Sequence, residues 1–241
     1  VDCVSDLAAQ VGVKQTAPMS DLQSICDKAK ASGREIHFLP PYRYDTKIQI
    51  MDLLGIHPNN QKETASLALI KAVVKMRSTK EPQEIEAIER ACDVGYEMHT
   101  RAMHTVRPGL SERYVGGIVD GTANSLASKV SFATIFSQHG EIMHGNPSTA
   151  LLEDGRLVLC DAGCELDDYC SDHTRTYPVS GKFTDLQRDI YNIVLSAHQQ
   201  APENMRAGAK YMEDVHRKAQ ITLAEGLKGV GLINGSAEDA V

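Results

Sequence analysis

The sequence predicts an α+β protein in which helices surround a group of antiparallel strands. Apolar residues recur at three- and four-residue steps between Pro82 and Val106, which is the period of an amphipathic helix. Residues 156–179 contain two short strand-like runs joined by the acidic pair Asp167 and Asp168, a pattern typical of a β-hairpin. Two more amphipathic helical stretches follow, so helices and strands do not alternate strictly as they do in βαβ units.

The first 75 residues predict an α/β piece that is separate from the rest of the chain. Helix-like spacing around Leu22 ends at Gly33, and residues 35–45 (EIHFLPPYRYD) predict a short strand that runs into a Pro-Pro turn. Residues 76–82 are largely polar and end in proline, and we interpret them as a linker between two domains. Residues 83–241 then form the second domain.

The second domain is expected to begin with its longest helix. Glu81 and Glu84 lie in the first turn, where carboxylates interact favourably with the helix dipole, and RPG follows the helix end. A second helix is predicted after Ser111, a favoured N-cap residue. The remaining predicted elements are a strand over residues 130–136, the hairpin, and two helices over 186–200 and 211–227.

The composition excludes several classes of protein. With 241 residues and 42% apolar content, the chain is long enough for a sizeable core. The net charge of −7, without any Lys/Arg cluster, argues against nucleic-acid binding. The longest apolar stretch, residues 65–74, is too short to span a membrane. Half of the six cysteines crowd between residues 160 and 170, unlike a spaced disulfide framework, which predicts a reducing, cytoplasmic location.

Asp161 and Asp172 are the unexpected residues of the hairpin, because aspartate is depleted in strands. If Asp167 and Asp168 form a two-residue turn, counting outward pairs Leu166 with Tyr169 and places Thr174 opposite Asp161.

The same register places Asp161, Asp172 and Thr174 on one face of the hairpin, since side chains alternate with period two. Gly163 would lie opposite Asp172 and leave the space between the aspartates open. Two close carboxylates repel each other unless one takes up a proton or both share a cation. The pattern therefore indicates either a site for one or two divalent metal ions or an exposed, hydrated acidic face.

The hairpin region resembles a known family. The stretch DAGCELDDYCSDHTRTYPVSGKFTDLQRDIYNIVL, which begins at Asp161, is similar to the corresponding part of aminopeptidase P (Xaa-Pro aminopeptidase) and its relative prolidase. KEPQEIEAIERACDVGYEMHTRAM, RPGLSE and MHGN upstream resemble that family as well, and the resemblance covers about residues 60–230 in order. It implies that residues 83–241 are the first part of a pita-bread catalytic domain. Residues 1–75 would be the C-terminal part of the family's creatinase-like N-terminal α/β domain.

The resemblance also implies a site for two divalent cations, manganese first, with cobalt or zinc as alternatives. Asp161 matches the first aspartate ligand of the family, and Asp172 matches the aspartate that bridges the ions. Thr174 matches a threonine near the metals. His144 matches the histidine that contacts the scissile carbonyl region and steadies the tetrahedral intermediate.

The implied activity is that of a metallopeptidase, either an aminopeptidase or a dipeptidase. A hydroxide bridging two cations would hydrolyse the bond between an N-terminal residue and proline. The sequence leans towards the aminopeptidase through DAGCE and TRTYPVSGKFT. The implied partners are a peptide with proline in second position and further copies of the chain in a homodimer or homotetramer, with neither nucleic acid nor membrane.

The chain departs from the family pattern in its ligand set. The family's remaining ligands, a histidine and two glutamates, are expected beyond Val241. We therefore expect the natural protein to be longer, and the sequence as given to bind metal weakly and hydrolyse nothing. His173 is a smaller departure, because the family prefers an apolar residue there.

Three alternatives remain open. The first is a creatinase-like hydrolase that works without metal, which the retention of both aspartates disfavours. The second is a non-catalytic pita-bread binding module. The third is a zinc site formed by Cys160, Cys164 and His173 on the opposite hairpin face, although buried cysteines are far more often core residues. The stretch HGEIMH is a near-match to a zinc-protease motif that fails, because its histidines are five residues apart.

Overall fold

A computed structural model describes residues 4–241, which form two compact units that divide between Glu81 and Pro82. This division falls inside the predicted linker, residues 76–82. Part of that linker is helical, because residues 76–78 form the end of a helix that continues to Ser78. None of the helices in the described part of the chain is long and apolar enough to cross a bilayer.

The first unit contains helices and no strand among residues 4–81. Its five α-helices are α1 (Val4–Gln10), α2 (Leu22–Ala31), α3 (Tyr44–Leu54), α4 (Gln61–Thr64) and α5 (Leu67–Ser78). The predicted strand over residues 35–45 is wrong: residues 35–43 are irregular, and α3 begins at Tyr44. A strand is stable only beside another strand, and the described part of this unit supplies none.

The second unit confirms the predicted α+β class. Its helices are α6 (Pro82–Thr105), α7 (Glu112–Leu126), α8 (Asp185–Asn204) and α9 (Arg217–Gly229), the last preceded by a π-helical turn over Tyr211–His216. The Ser111 side chain accepts a hydrogen bond from the Tyr114 N–H at 3.1 Å, which confirms the predicted N-cap of α7. Helix α6 buries Ala91, Met98 and Ala102 at the predicted helical spacing.

Six short strands form two antiparallel sheets in this unit. The strands are β1 (Lys129–Val130), β2 (Ile135–Ser137), β3 (Leu157–Ala162), β4 (Cys164–Leu166), β5 (Tyr169–Cys170) and β6 (His173–Pro178). One sheet has the order β1-β4-β5 and the other the order β2-β3-β6. The single strand predicted over residues 130–136 is therefore divided into β1 and β2, because its two ends pair with different sheets.

The tip of the predicted hairpin forms as expected. Asp167 and Asp168 have φ angles of 52° and 65°, so both central residues of the turn are left-handed, as in a type I′ hairpin. Leu166 pairs with Tyr169, which confirms the predicted register. The left-handed conformation suits aspartate better than most other non-glycine residues.

The hairpin is interrupted at Gly163, between β3 and β4. A Cβ atom at Gly163 would lie 1.9 Å from the backbone oxygen of Ser171 and 2.8 Å from Oγ of Ser131. Ser131 crosses this gap: its N–H donates to the Gly163 oxygen at 3.1 Å and its hydroxyl to the Ser171 oxygen at 2.8 Å. Close backbone packing therefore requires a glycine at this position, in addition to the open space between the aspartates that the sequence predicts.

The core lies between helices α6 and α7 and one face of the strands. Even-numbered residues of β3 point into it, and Val158, Cys160 and Ala162 are fully buried. The core cluster also contains Met98, Val115, Val119, Phe136, Leu152, Cys164 and Val179. Odd-numbered residues of β3, including Asp161, consequently face away from this core.

Candidate metal centre

The structure brings three of the four predicted site residues to one cavity. Asp161, Asp172 and His144 line a cavity of about 410 Å³, whose other lining residues are Phe132, Ala133, Ile135 and Asn146. Asp161 pairs with Thr174 in the β3–β6 ladder, as the sequence predicts. Thr174 is exposed and, within residues 4–241, is not one of the residues that line this cavity.

The two aspartates interact unfavourably in the absence of a cation. Oδ1 of Asp161 is buried and has no hydrogen-bond partner within the described part of the chain. The pKa of Asp172 is raised by partial burial, then by the negative charge of Asp161 and a hydrogen bond shared with its carboxylate. A divalent cation would interact favourably with both side chains: it would coordinate the unpaired oxygen of Asp161 and stabilise the ionised form of Asp172. The pair therefore fits a divalent cation.

The ligand set of this centre is small. Among residues 4–241, no group of three or more His, Cys, Asp or Glu side chains is arranged to hold a metal ion. Asp161 and Asp172 provide two carboxylates, fewer than the three or four protein ligands of a typical catalytic or structural metal site.

The opposite face of the hairpin does not support the alternative zinc site. Burial raises the pKa of the Cys160 thiol to about 12, although a hydrogen bond with Tyr177 opposes this, and burial also raises the pKa of Cys164. Within residues 4–241, Cys160, Cys164 and His173 are also not arranged as a group that could hold a metal ion. Cys164 instead lies 3.4 Å from the Ala91 oxygen, inside the core.

His173 also has a packing role on that face. Its Nδ1 would be 2.6 Å from a Cβ atom at Gly95, so the imidazole rests against the glycine backbone of α6. Its ring is edge-on to that of His99, with 6.1 Å between the centroids. The histidine that departs from the family pattern thus fills space between β6 and α6.

His144 reaches the cavity from the segment that connects β2 and β3. Residues 141–144 of this segment are exposed, and Met143 has a φ of 66°. The His144 N–H donates to the Ile142 oxygen at 2.8 Å, which closes a tight turn just before the imidazole. The position of His144 therefore depends on how the two ends of its segment are fixed.

A buried glutamate that the sequence did not single out fixes those ends. Glu112, at the start of α7, is only 2% exposed and accepts hydrogen bonds from Ser137, Gln138 and Ser148. It lies in the RPGLSE motif, where an acidic residue in a first helical turn predicts only a favourable interaction with the helix dipole. Asn146, Phe132 and Ile135 were missed for a similar reason: nothing local marks them as cavity residues.

The fold and the paired aspartates define the class of protein: a pita-bread metallopeptidase domain. Pseudomonas aeruginosa aminopeptidase PepP superimposes on this chain with a TM-score of 0.80 at 27% identity, covering 96% of this chain and 54% of that one. Escherichia coli aminopeptidase P, solved with the inhibitor Pro-Leu, has a TM-score of 0.79 at 29% identity and the same coverage. The pita-bread fold expected from the sequence is thereby confirmed.

The chain belongs to metallopeptidase family M24, whose sequence profile matches residues 86–236. The Xaa-Pro aminopeptidase of Escherichia coli K12 is 35% identical over 189 residues, which is 76% of this chain and 43% of that relative. The chain thus spans about half the length of the relatives and solved structures it matches.

Proposed function

We propose that this chain is part of a metal-dependent aminopeptidase that hydrolyses the bond between an N-terminal residue and proline. The observation that carries this proposal is the convergence of Asp161, Asp172 and His144 on one cavity. Xaa-Pro specificity, rather than another peptidase specificity, is supported by the names of the relatives. Those names favour an aminopeptidase over a dipeptidase.

Asp161 and Asp172 would hold two divalent cations, with Asp172 as the bridging ligand. Carboxylate oxygens are hard ligands that suit manganese, and cobalt or zinc would be accepted if histidine completes the site. When bound, the cations would polarise the scissile carbonyl and lower the pKa of the attacking water. Thr174, which lies opposite Asp161 in the ladder, would support the orientation of that carboxylate.

His144 would bind the substrate beside the aspartates. An imidazole N–H is a suitable donor to a carbonyl oxygen that gains negative charge during hydrolysis. Asn146, on the same segment, offers an amide for a further hydrogen bond, while Phe132, Ala133 and Ile135 provide an apolar wall. Such a wall suits the proline ring or the side chain of the N-terminal residue.

Further ligands would come from outside residues 4–241, and the protein would be cytoplasmic and assemble as a homodimer or homotetramer. Two carboxylates alone would bind metal weakly, so we propose that the sequence as given is inactive. The chain spans about half the length of the relatives it matches.

The test is an assay of the full reading frame with manganese on a peptide with proline in second position. Asp172→Asn should lower kcat/KM by at least about a hundredfold, because the cations lose their shared ligand. Asp168→Asn, an exposed aspartate in the turn of the same hairpin, is the matched control and should leave the rate unchanged.

Two results would contradict the proposal. An unchanged rate for Asp172→Asn would remove the aspartate from the mechanism. Full activity after exhaustive chelation would instead favour a metal-free, creatinase-like hydrolase.

A further inference from the structure

We propose that Glu112 is a positioning residue that fixes the segment carrying His144 against α7. This segment, residues 138–147, is called the His144 segment below. The inference rests on the proposed function only in so far as His144 acts on substrate. The role of Glu112 in holding the segment is argued from its contacts alone.

One carboxylate binds both ends of the His144 segment. At the first end, Oε1 of Glu112 accepts hydrogen bonds from the Ser137 hydroxyl and from the Gln138 N–H, both at 2.9 Å. At the second end, Oε2 accepts from the Ser148 hydroxyl at 2.6 Å and from the Ser148 N–H at 3.2 Å. The two oxygens are thereby divided between the two ends, so that Glu112 closes the segment into a loop.

The environment of Glu112 makes these four hydrogen bonds strong. The residue is buried, and the four groups that donate to it, from Ser137, Gln138 and Ser148, are all uncharged. Burial by itself would raise the pKa of this carboxyl, but the hydrogen bonds from Ser148, Gln138 and Ser137 together lower it, so Glu112 is ionised near neutral pH. Hydrogen bonds to an ionised acceptor are about twice as strong as those between neutral groups.

The centre of the His144 segment has little packing of its own, although Pro147 near its second end lies against Gly116 of α7. Its central residues, Glu141 to His144, are exposed, and contacts between near neighbours organise them: a 3₁₀ turn over Gly140–Ile142, the turn closed by the His144 N–H, and an exposed contact of His139 with Glu141. Backbone hydrogen bonds from Glu112 to Ala150 and from Arg113 to Ser148 attach only the second end to α7. The Gln138 side chain adds hydrogen bonds from the first end to Leu151 and Glu153, beyond the second end. The Glu112 carboxylate bonds to both ends directly and thereby helps to set where His144 and Asn146 enter the cavity.

The direct test compares amide hydrogen exchange in this chain and its Glu112→Gln variant, without metal or substrate. The variant keeps the side-chain shape but replaces one acceptor oxygen by an NH₂ group that faces N–H and O–H donors. Exchange should accelerate about tenfold to a hundredfold at Gln138, Ser148 and the residues between them, the range expected for loss of hydrogen bonds to a charged group. Glu203→Gln, on the exposed end of α8, is the matched control and should change nothing there.

A second readout reports on His144 itself. The ring nitrogen signals of His144 in a ¹H–¹⁵N spectrum should shift or broaden in Glu112→Gln and remain unchanged in Glu203→Gln. Ser148→Ala removes the 2.6 Å hydrogen bond to Glu112, together with a local one that the Ser148 hydroxyl accepts from the Ala150 N–H, and should produce a smaller effect of the same kind. If Glu112→Gln fails to fold, Ser148→Ala decides the question.

The selectivity of the effect separates positioning from general stability. Acceleration confined to the His144 segment supports the proposal. The positioning role of Glu112 would be overturned if amide exchange accelerated equally in the His144 segment and in the buried turns of α6. It would also be overturned if exchange accelerated in neither.

Kinetics of the full-length enzyme then test the proposed function separately. With a loosened His144 segment, kcat should fall at least about tenfold while KM changes little, if His144 acts only in the transition state. An unchanged kcat beside a demonstrably loosened segment would count against the catalytic role of His144, and would leave the structural role of Glu112 established.

Discussion

Asp161 lies in β3, where aspartate is usually depleted, and Asp172 lies directly before β6. Each carboxylate is disfavoured in the metal-free chain, for a different reason. Asp161 has a buried oxygen without a donor, and Asp172 has a raised pKa because of partial burial and the nearby charge of Asp161. Both features oppose folding of the metal-free chain, and both disappear when a cation is bound. The same pair thus makes the chain less stable alone and suited to metal.

Replacing Asp172 by asparagine should stabilise the metal-free chain at pH 7. The folded-state pKa of Asp172 is raised, so its ionised form is disfavoured in the folded state above the ordinary pKa of 3.8. The gain in free energy of unfolding should be below about 1 kcal/mol, because water screens this exposed carboxylate. It should vanish as the pH falls below 3.8, where the aspartate is protonated in both states.

Urea unfolding at pH 7 and pH 3 measures this gain, with Asp168→Asn as the control on the same hairpin. A loss of stability at pH 7 in Asp172→Asn would show that the ionised carboxylate has a stabilising partner.

Glu112 should show the opposite pH dependence. Its folded-state pKa is lowered, so it stabilises the folded chain above the ordinary pKa of 4.5 and this contribution is lost as the pH falls through the lowered value. Glu112→Gln should cost about 2 kcal/mol at pH 7, since hydrogen bonds to a buried charge are lost. Thermal unfolding between pH 7 and pH 3 should show the deficit shrinking with acid, and a deficit that is independent of pH would contradict the assignment.

At the scale of the elements, the site depends on an interruption in the hairpin. Asp161 lies in β3 and Asp172 immediately precedes β6, and the chain changes sheets at Gly163 and continues into β4. Ser131 bridges the gap by hydrogen bonds to both sides. The backbone around Asp172 is therefore fixed by a close contact that tolerates no side chain at Gly163.

Gly163→Ala should be strongly destabilising, because its Cβ atom would lie 1.9 Å from the Ser171 oxygen, a backbone atom that cannot rotate away. We expect a loss of about 3 kcal/mol or more, the upper end of the range for overpacked cores. Gly117→Ala is the matched control: a Cβ there meets nothing within 4 Å, and alanine in a helix interior should stabilise the chain by about 0.5–1 kcal/mol. Equal unfolding midpoints for the two variants would show that the backbone at Gly163 relaxes freely.

At the scale of the whole molecule, the described residues supply two carboxylates at the candidate metal centre but no group of three or more metal-binding side chains. Asp161 and Asp172 lie together, but residues 4–241 contain no third His, Cys, Asp or Glu arranged with them to hold metal. The described residues thus bring two carboxylates together without a third such group to complete a metal site.

Calorimetric titration of this chain with manganese should accordingly show no tight binding. We expect a Kd weaker than about 1 μM, because two carboxylates leave most of the coordination shell to water. Asp161→Asn should abolish even the weak binding. A submicromolar site in the unaltered chain would mean that ligands other than these two aspartates take part.

Local sequence determined several features of this protein. These features follow from interactions between residues that are near in sequence or directly opposite in a hairpin. They are the Ser111 cap, the apolar face of α6, the turn at Asp167 and Asp168, and the pairing of Asp161 with Thr174. The motif from Asp161 onward was specific enough to indicate the family, which the comparisons confirm.

Only the tertiary structure decided the rest. Three features depend on which distant segments pack against each other. They are the division of residues 130–136 between two sheets, the close packing at Gly163, and the absence of the predicted strand within residues 35–45. Glu112 meets its partners across 25 to 36 residues of sequence, and no local pattern reports such contacts. The sequence by itself determined the hairpin register that aligns the two aspartates, because that register depends on short-range geometry. The cavity they share with His144, and the buried carboxylate behind it, exist only because distant segments pack together.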